Sequence, residues 1–177
     1  GNCHELSEWL GATLIQSDWR PVALEYSTFH DLHLEPRMIQ SSAIMTEPEL
    51  LNLPRELEGP KSHPSWVVLK DSMESEKQLL IFVGTRRSAE SEAVKLSQRI
   101  IKQLSKENSE MLDKLNDIAD SIEGRNQSSM GEKLANCVRG GVAFHHAGLT
   151  HSQRKIIEQS FKDGDLFCLT ATPTLAA

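Results

Sequence analysis

The chain has 177 residues, and 25 acidic residues against 19 Lys and Arg give it a formal net charge of −6 at pH 7. This balance excludes a strongly basic nucleic-acid coat but is compatible with a local basic groove, because electrostatic steering depends on where the charges lie. Apolar residues make up 38% of the chain, and no apolar run approaches the roughly 20 residues that span a bilayer. We therefore expect a globular protein with no membrane partner.

Cysteine usage indicates the compartment. Cys3, Cys137 and Cys168 are far apart and form no C-x-x-C pair, which favours free thiols in a reducing environment over a disulfide framework. No basic and apolar leader opens the chain, so secretion is not expected. These features predict a cytoplasmic protein.

The first third of the chain has an irregular texture. "HELSEWL" has the pattern of a short amphipathic helix and "ATLIQS" that of a strand. "RPVALEYSTFHDLHLEP" alternates apolar and polar residues, which predicts a half-exposed strand or hairpin. The following stretch carries four prolines that disfavour long regular elements, at Pro48, Pro54, Pro60 and Pro64. We interpret this stretch as a connecting arm.

Beyond Pro64 the sequence becomes periodic. "SWVVLKDSM" predicts a helix, and "QLLIFVG", "GVAF" and "LFCLTA" predict three strands, the first of them buried on both faces. Between the strands, apolar residues recur every three or four positions and predict four helices, the last ended by Gly164. The apolar positions are Ala89, Ala93, Leu96, Ile100 and Leu104; Met111, Leu112, Leu115, Ile118 and Ile122; Met130, Leu134, Cys137 and Val138; and Ile156, Ile157 and Phe161.

This alternation of strands and helices predicts an α/β fold with a parallel sheet covered by helices on both faces. Ligands of such sheets lie outside the carboxyl ends of the strands. The segments at those ends are "VGTRRS", "HHAGL" and "TATPT". If the strands are neighbours, the three segments share one rim.

"GTRRS" combines a hydroxyl and two arginines at a predicted strand-to-helix turn. The Thr85 hydroxyl, the amides at the helix start and an arginine together suit a phosphate group. The alternative is an N-capped helix with two solvated arginines. The phosphate-binding motif G-x-x-x-x-G-K-[ST] does not occur in the chain, so an unaided ATPase is not expected.

The two adjacent histidines of "HHAGLTH" raise the question of a metal site. Successive strand side chains point to opposite faces, so His145 and His146 would not both face one ion. We expect His145 to be buried and hydrogen-bonded, and His146, nearer the strand end, to be the functional candidate. The small residues Ala147 and Gly148 would let a polymer backbone approach closely.

"TATPT" offers hydroxyls and amides for phosphate contacts through Thr170, Thr172 and Thr174, or is simply a polar turn. Nucleophilic catalysis has little support. The chain has no G-x-S-x-G elbow, and Cys168 lies within a predicted apolar strand, where thiols are normally inert.

Three segments, in this order, resemble the second motor domain of superfamily 2 helicases: "LLIFVGTRRSAE", "GVAFHHAGLTHSQRKIIEQSFKDG" and "FCLTATPTLAA". "HHAGL" and "ATPTLAA" are similar to the Ski2-like group, and within it to archaeal DNA-repair helicases that act at stalled forks. The resemblance covers residues 64–177 well and residues 1–20 loosely, whereas residues 25–60 and 105–135 match only as variable insertions. It implies a RecA-like domain with an incomplete sheet and an N-terminal arm.

In that family, two RecA-like domains bind ATP and Mg²⁺ between them while single-stranded nucleic acid crosses their top. "GTRRS" corresponds to motif IV, "HHAGL" to the next DNA-facing motif, and "TATPTLAA" to the start of motif V. No catalytic residue and no metal ligand of this chain is implied. The nucleic-acid contacts that the resemblance implies are Thr85, Arg86, Arg87, His146, Gly148 and Thr172.

The sequence also departs from the family. The lysine and the D-E-x-H box of the first motor domain have no counterpart, and the chain stops before the Q-x-x-G-R-A-G-R motif that supplies the arginine finger. We therefore expect a piece of a larger enzyme, with the first motor domain as its partner in cis. Residues 1–20 would end that first domain, residues 21–63 would form the arm, and residues 64–177 the second domain, truncated within motif V. ATP and Mg²⁺ would serve the intact enzyme, and none is expected in this chain alone.

The resemblance implies a function as part of an ATP-dependent 3′-to-5′ helicase acting on single-stranded or forked DNA, associated with the nucleoid if the source is archaeal. Two alternatives within nucleic-acid binding are a stand-alone binding module and an RNA helicase of the same group. A third alternative is a metal-dependent hydrolase built around His145, His146 and His151.

Overall fold

A computed structural model describes residues 3–15, 24–40, 53–104, 109–124 and 128–175. The chain divides into two compact units, Gly1–Leu57 and Glu58–Ala177. Within the described ranges no helix is both long enough and apolar enough to cross a membrane. The predicted three-part division of the chain stays a prediction.

The first unit contains a helix and a small antiparallel sheet. The described part of the predicted hairpin is confirmed: its turn places Asp31 and Leu32 at φ 50° and 73°, a pair of left-handed residues that suits a two-residue hairpin loop. The prediction that "ATLIQS" is a strand is wrong over its described residues 12–15, where Ile15 is 90% exposed. The last two residues of this segment lie outside the described ranges, as does Pro48. The elements are α1 Cys3–Leu10, β1 Leu24–His30, β2 His33–Gln40 and β3 Arg55–Glu56.

The second unit has the predicted order of helices and strands. Pro64 begins its first helix, where a missing N–H costs nothing. Gly164, at φ 84°, follows the end of the last helix, as predicted. The elements are α2 Pro64–Glu74, β4 Leu79–Phe82, α3 Arg86–Leu104, α4 Ser109–Glu123, α5 Ser129–Val138, β5 Val142–His145, α6 His151–Lys162, β6 Cys168–Ala171 and a 3₁₀ turn Pro173–Leu175.

The three strands of this unit form a parallel sheet in the order β4-β6-β5. Ala171, at the end of the central strand β6, pairs with Phe82 on one side and with His145 on the other. The carboxyl ends of all three strands therefore lie side by side. The prediction that these strands are neighbours with one common rim is confirmed.

Helices cover both faces of this sheet. On one face the buried Thr170 hydroxyl donates to the Ala89 carbonyl of α3 at 2.8 Å. On the other, the His145 imidazole lies 2.8 Å from Glu158 of α6. The expectation that β4 is buried on both faces is wrong, since Leu80 is 40% and Phe82 49% exposed. β4 is an edge strand of the described sheet. Helix α6 does not cover the β4 side chains that point to its side of the sheet.

Helix α4 is part of the core, although the resemblance predicts only a variable insertion in this part of the chain. Leu115 and Ala119 are completely buried in the cluster that also contains the sheet residues. Three salt bridges hold its polar side: Lys114 pairs with Asp165 at 2.6 Å, and Arg139, at the end of α5, pairs with two carboxylates of α4. The helix is therefore a structural member of this unit.

Replacing Leu115 by alanine is expected to destabilise the fold by about 2–5 kcal/mol, because it leaves a cavity in a fully buried site. Asn116→Ala changes the neighbouring, exposed position of the same helix and should stay within about 0.5 kcal/mol of the original chain. Urea unfolding of the three proteins measures both values. Equal stability of the two variants would contradict the placement of α4 in the core.

Candidate nucleic-acid interface

The rim consists of the segments that follow the three strands, and backbone hydrogen bonds join them. Val83, after β4, donates its N–H to the Ala171 carbonyl at 2.8 Å. Thr172, after β6, donates to the His145 carbonyl of β5 at 3.1 Å. "GTRRS", "HHAGL" and "TATPT" are thus anchored to each other by main-chain geometry rather than by flexible side chains.

The first rim segment is a capped helix start. The Thr85 hydroxyl oxygen accepts from the Ser88 N–H at 3.0 Å and caps α3. Arg86 and Arg87 are exposed, and among the described residues no carboxylate lies within salt-bridge distance of either guanidinium. This geometry is that of the alternative weighed from the sequence, an N-capped helix with two exposed arginines. Phosphate binding by this segment stays a prediction.

In the second rim segment, His145 is buried, as expected. Its Nε2 lies 2.8 Å from the Glu158 carboxylate, while its Nδ1 is buried and has no hydrogen-bond partner. The Glu158 contact orients the ring, whereas the unsatisfied Nδ1 carries a desolvation cost. The geometry assigns His145 a place between β5 and α6.

His146 is also buried, with only 1% of its surface exposed. The chain turns back after β5 and stacks this imidazole on Phe144, with 5.4 Å between ring centroids. The functional role predicted for His146 stays a prediction. Nδ1 accepts the Gly148 N–H at 3.1 Å, and Nε2 lies 3.3 Å from Glu90. Any effect of this ring on a ligand must pass through the groups that it holds.

Burial lowers the pKa of His146 below its ordinary value. The positive charge of Arg86 and the nearby His145 lower this pKa further, whereas the Glu90 carboxylate opposes them. A protonated ring would also have to donate from Nδ1, which would break the bond from Gly148. The fold therefore favours the neutral imidazole.

Gly148 lies where two parts of the rim meet. A Cβ on this residue would stand 3.0 Å from two atoms of the His146 ring and 3.7 Å from Arg86 Nη1. The absent Cβ leaves room for the His146 ring, and the Arg86 guanidinium lies at contact distance from this exposed turn. Arg86 and Gly148, 62 positions apart in their numbering, share one small area of the rim.

The third rim segment carries its hydroxyls at different depths. Thr170 is buried and donates to the Ala89 carbonyl, so it belongs to the core. Thr172 is 7% exposed, and its hydroxyl lies 2.9 Å from that of the exposed Thr174. Of the three threonines, only Thr174 is exposed on the rim, and Thr172, a predicted contact, is nearly buried.

The sequence reasoning missed Glu90 and Lys133. Glu90 of α3 accepts from Lys133 of α5 at 2.7 Å and faces His146 with its other oxygen at 3.3 Å. The four-residue step from Arg86 to Glu90 on a predicted helix was a usable signal, since such residues are surface neighbours. No comparable sequence signal exists for Lys133, because its contact with Glu90 depends on how α5 packs on α3.

Nucleophilic and metal chemistry find little support in the geometry. Burial raises the pKa of the Cys137 thiol to about 11 and that of Cys168 to about 12, so neither forms a thiolate near neutral pH. Among the residues that the structure describes, no three His, Cys, Asp or Glu side chains are placed to hold one metal ion.

Lowering the pH below about 6.5 is expected to reduce stability through His146. The folded ring has the lower pKa, so the unfolded chain takes up the proton first. The contribution of the neutral His146 ring to stability is complete above the ordinary pKa of 6.5. It is lost as the pH falls through the lowered pKa of the folded state. Urea unfolding at about pH 7.5 and about pH 5.5 measures the loss. His146→Asn, which does not titrate, should lose less; an equal loss would contradict this role.

Comparisons with known proteins give consistent relatives. No family model matches the chain. It is similar to the ATP-dependent DNA helicase Hel308 of Thermococcus kodakarensis, with 41% identity over 99% of the chain and 14% of that helicase. Hel308 of Pyrococcus horikoshii is 38% identical, and Hel308 of Methanocella arvoryzae 33%; the whole chain aligns with 21% and 22% of their lengths. The chain thus spans between about a seventh and about a fifth of these curated relatives.

Proposed function

This chain belongs to the Hel308 helicase family, and from this premise we propose that it contributes the strand-holding surface of an ATP-dependent 3′-to-5′ DNA helicase. The rim would grip single-stranded DNA, or the single-stranded arm of a fork, by its backbone. The proposed contacts are Thr85, Arg86, Arg87, Gly148 and Thr172, with His146 acting through the Gly148 amide.

One observation carries this proposal: an exposed, unpaired Arg86 lies beside the exposed turn at Gly148, at the common edge of three parallel strands. A guanidinium and helix-start amides are the groups that proteins use for phosphate oxygens. The chain has a net charge of −6, so most of its surface would repel an anionic polymer. An arginine without an ion pair therefore indicates where such a polymer would approach.

We further propose that residues 64–177 form a second RecA-like domain, with residues 1–20 from the end of the first and residues 21–63 as the arm. The α/β fold with its small parallel sheet is compatible with this assignment. ATP and Mg²⁺ would bind between the two domains, and this chain would supply one wall of that cleft. It lacks the G-x-x-x-x-G-K-[ST] loop, so hydrolysis would need the other domain.

Fluorescence anisotropy with labelled single strands of about ten bases tests the grip. The 177-residue chain should bind oligothymidine and mixed-sequence DNA equally well, and more weakly as salt rises, because contacts to phosphates are not sequence-specific. Matched RNA strands separate the DNA helicase from an RNA helicase of the same group. No binding at low salt, or binding that salt leaves unchanged, would contradict the proposal.

A further inference from the structure

Glu90 is the only described carboxylate that contacts both another helix and the turn after β5. It projects from the first turns of α3, one helical turn beyond Arg86, and its side chain is 15% exposed. One oxygen holds Lys133 of α5 at 2.7 Å and the other faces His146 Nε2 at 3.3 Å. Three separate parts of the chain therefore meet at this side chain.

The tautomer of His146 follows from its hydrogen bond. Nδ1 accepts the Gly148 N–H, so the proton of the neutral ring resides on Nε2, the nitrogen nearest Glu90. Nε2 lies 3.3 Å from the carboxylate without forming a hydrogen bond of good geometry, so Glu90 favours this tautomer through its charge. Through the ring, which accepts the Gly148 N–H, Glu90 thus acts on the orientation of the exposed turn at Gly148.

Glu90 also affects Arg86. Residues four apart on a helix are neighbours, and a glutamate at this step would ordinarily neutralise the arginine. Here both carboxylate oxygens have other contacts, with Lys133 and His146, and Arg86 has no ion pair among the described residues. The guanidinium is left available to a ligand.

We infer that Glu90 is a positioning residue of the proposed strand grip: by engaging Lys133 and His146 it fixes the Gly148 turn and keeps Arg86 unpaired for a DNA phosphate. This inference rests on the proposed function, because it names a residue that prepares the same surface. Glu90 itself makes no contact with the strand. Buried side chains that orient binding groups commonly have effects of this kind.

Three variants test this role with the same anisotropy assay. Glu90→Asp keeps the charge but shortens the side chain, so it cannot span both contacts, and Glu90→Gln removes the charge. Glu92→Gln is the matched control, because it removes the same charge from the same helix. Within the described ranges, Glu92 forms a salt bridge with Lys95 alone. We expect both Glu90 variants to bind single-stranded DNA about five- to tenfold more weakly, and Glu92→Gln to bind as tightly as the original chain or slightly tighter.

The direction in which Glu90→Gln changes the DNA affinity distinguishes a positioning role from simple electrostatics. Removing a negative charge near an anionic ligand strengthens binding by simple electrostatics, so weaker binding by Glu90→Gln requires a positioning role. Equal or tighter binding by both Glu90 variants, with Arg86→Gln still weakened, would overturn the inference and leave the proposed function intact. If Arg86→Gln and the Glu90 variants all bound like the original chain, the proposed function itself would fail.

Nitrogen NMR of the His146 ring gives a second readout, and its first part uses the original chain alone. In the original chain Nδ1 should resonate as an unprotonated nitrogen and Nε2 as a protonated one; the opposite tautomer would overturn the inference. In Glu90→Gln the titration midpoint of this ring should move to lower pH, because the carboxylate that opposed the lowered pKa is gone. In Glu92→Gln the titration midpoint should be unchanged. An unchanged midpoint in Glu90→Gln would count against the contact between Glu90 and His146.

Discussion

Arg86→Gln should lower the affinity for single-stranded DNA by about tenfold or more at low salt. A charge-assisted contact to phosphate contributes about 1.5–3 kcal/mol, and no described carboxylate forms an ion pair with this guanidinium. The dependence of binding on salt should also become shallower, by about 0.7 in the logarithmic slope, because one fewer phosphate is neutralised. Anisotropy titrations over a salt series give both numbers.

Arg99→Gln is the matched control for this experiment. Arg99 lies 13 residues further along α3, or about 20 Å at 1.5 Å per residue, and its guanidinium lies over the Trp66 ring at 5.7 Å. The variant removes the same charge from the same helix without touching the rim. An equal loss in both variants would mean that net charge alone governs binding, and would contradict a specific grip at Arg86.

Phe144→Ala should produce the largest loss of stability, about 3–5 kcal/mol. Phe144 has the largest side chain among those that are fully buried, and it lies in the strand that ends at the rim. The His146 ring stacks on it, so the variant also removes the support of the Gly148 turn. Urea unfolding measures the first effect, and faster amide exchange at Gly148 would report the second.

Phe82→Ala offers the same chemical change at the end of the neighbouring strand β4. Phe82 is 49% exposed, so its truncation should cost less than about 1 kcal/mol. A large loss at Phe82, with little at Phe144, would contradict the assignment of buried and exposed faces of the sheet.

Periodicity was sufficient to predict most of the second unit. The apolar runs of β4, β5 and β6 and the spacing of apolar residues in α3 to α6 are local signals, and all of these elements are confirmed. The membership in the Ski2-like helicases, predicted from "HHAGL" and "ATPTLAA", is confirmed by the Hel308 relatives. The error at Leu80 and Phe82 has a physical reason: the same apolar run suits a covered central strand and an edge strand, and only the strand order distinguishes them.

The site was predicted less completely, because its important features are tertiary. Strand alternation correctly separated His145 and His146 onto different sides, but it could not show that the turn folds the second ring onto Phe144. The double engagement of Glu90 depends on α5, whose position relative to α3 no local pattern determines. The roles of the six proposed contacts stay predictions.

A backbone-amide NMR titration of the chain with a single strand of about ten bases, at low and near-physiological salt, tests the proposed grip most directly. We expect shifts concentrated at Gly84 to Arg87, Ala147 to Gly148 and Thr172 to Thr174, all fading as salt rises. Shifts centred instead on the exposed residues Leu80 and Phe82, or on α4, would show that the strand binds elsewhere and would contradict the rim as its site.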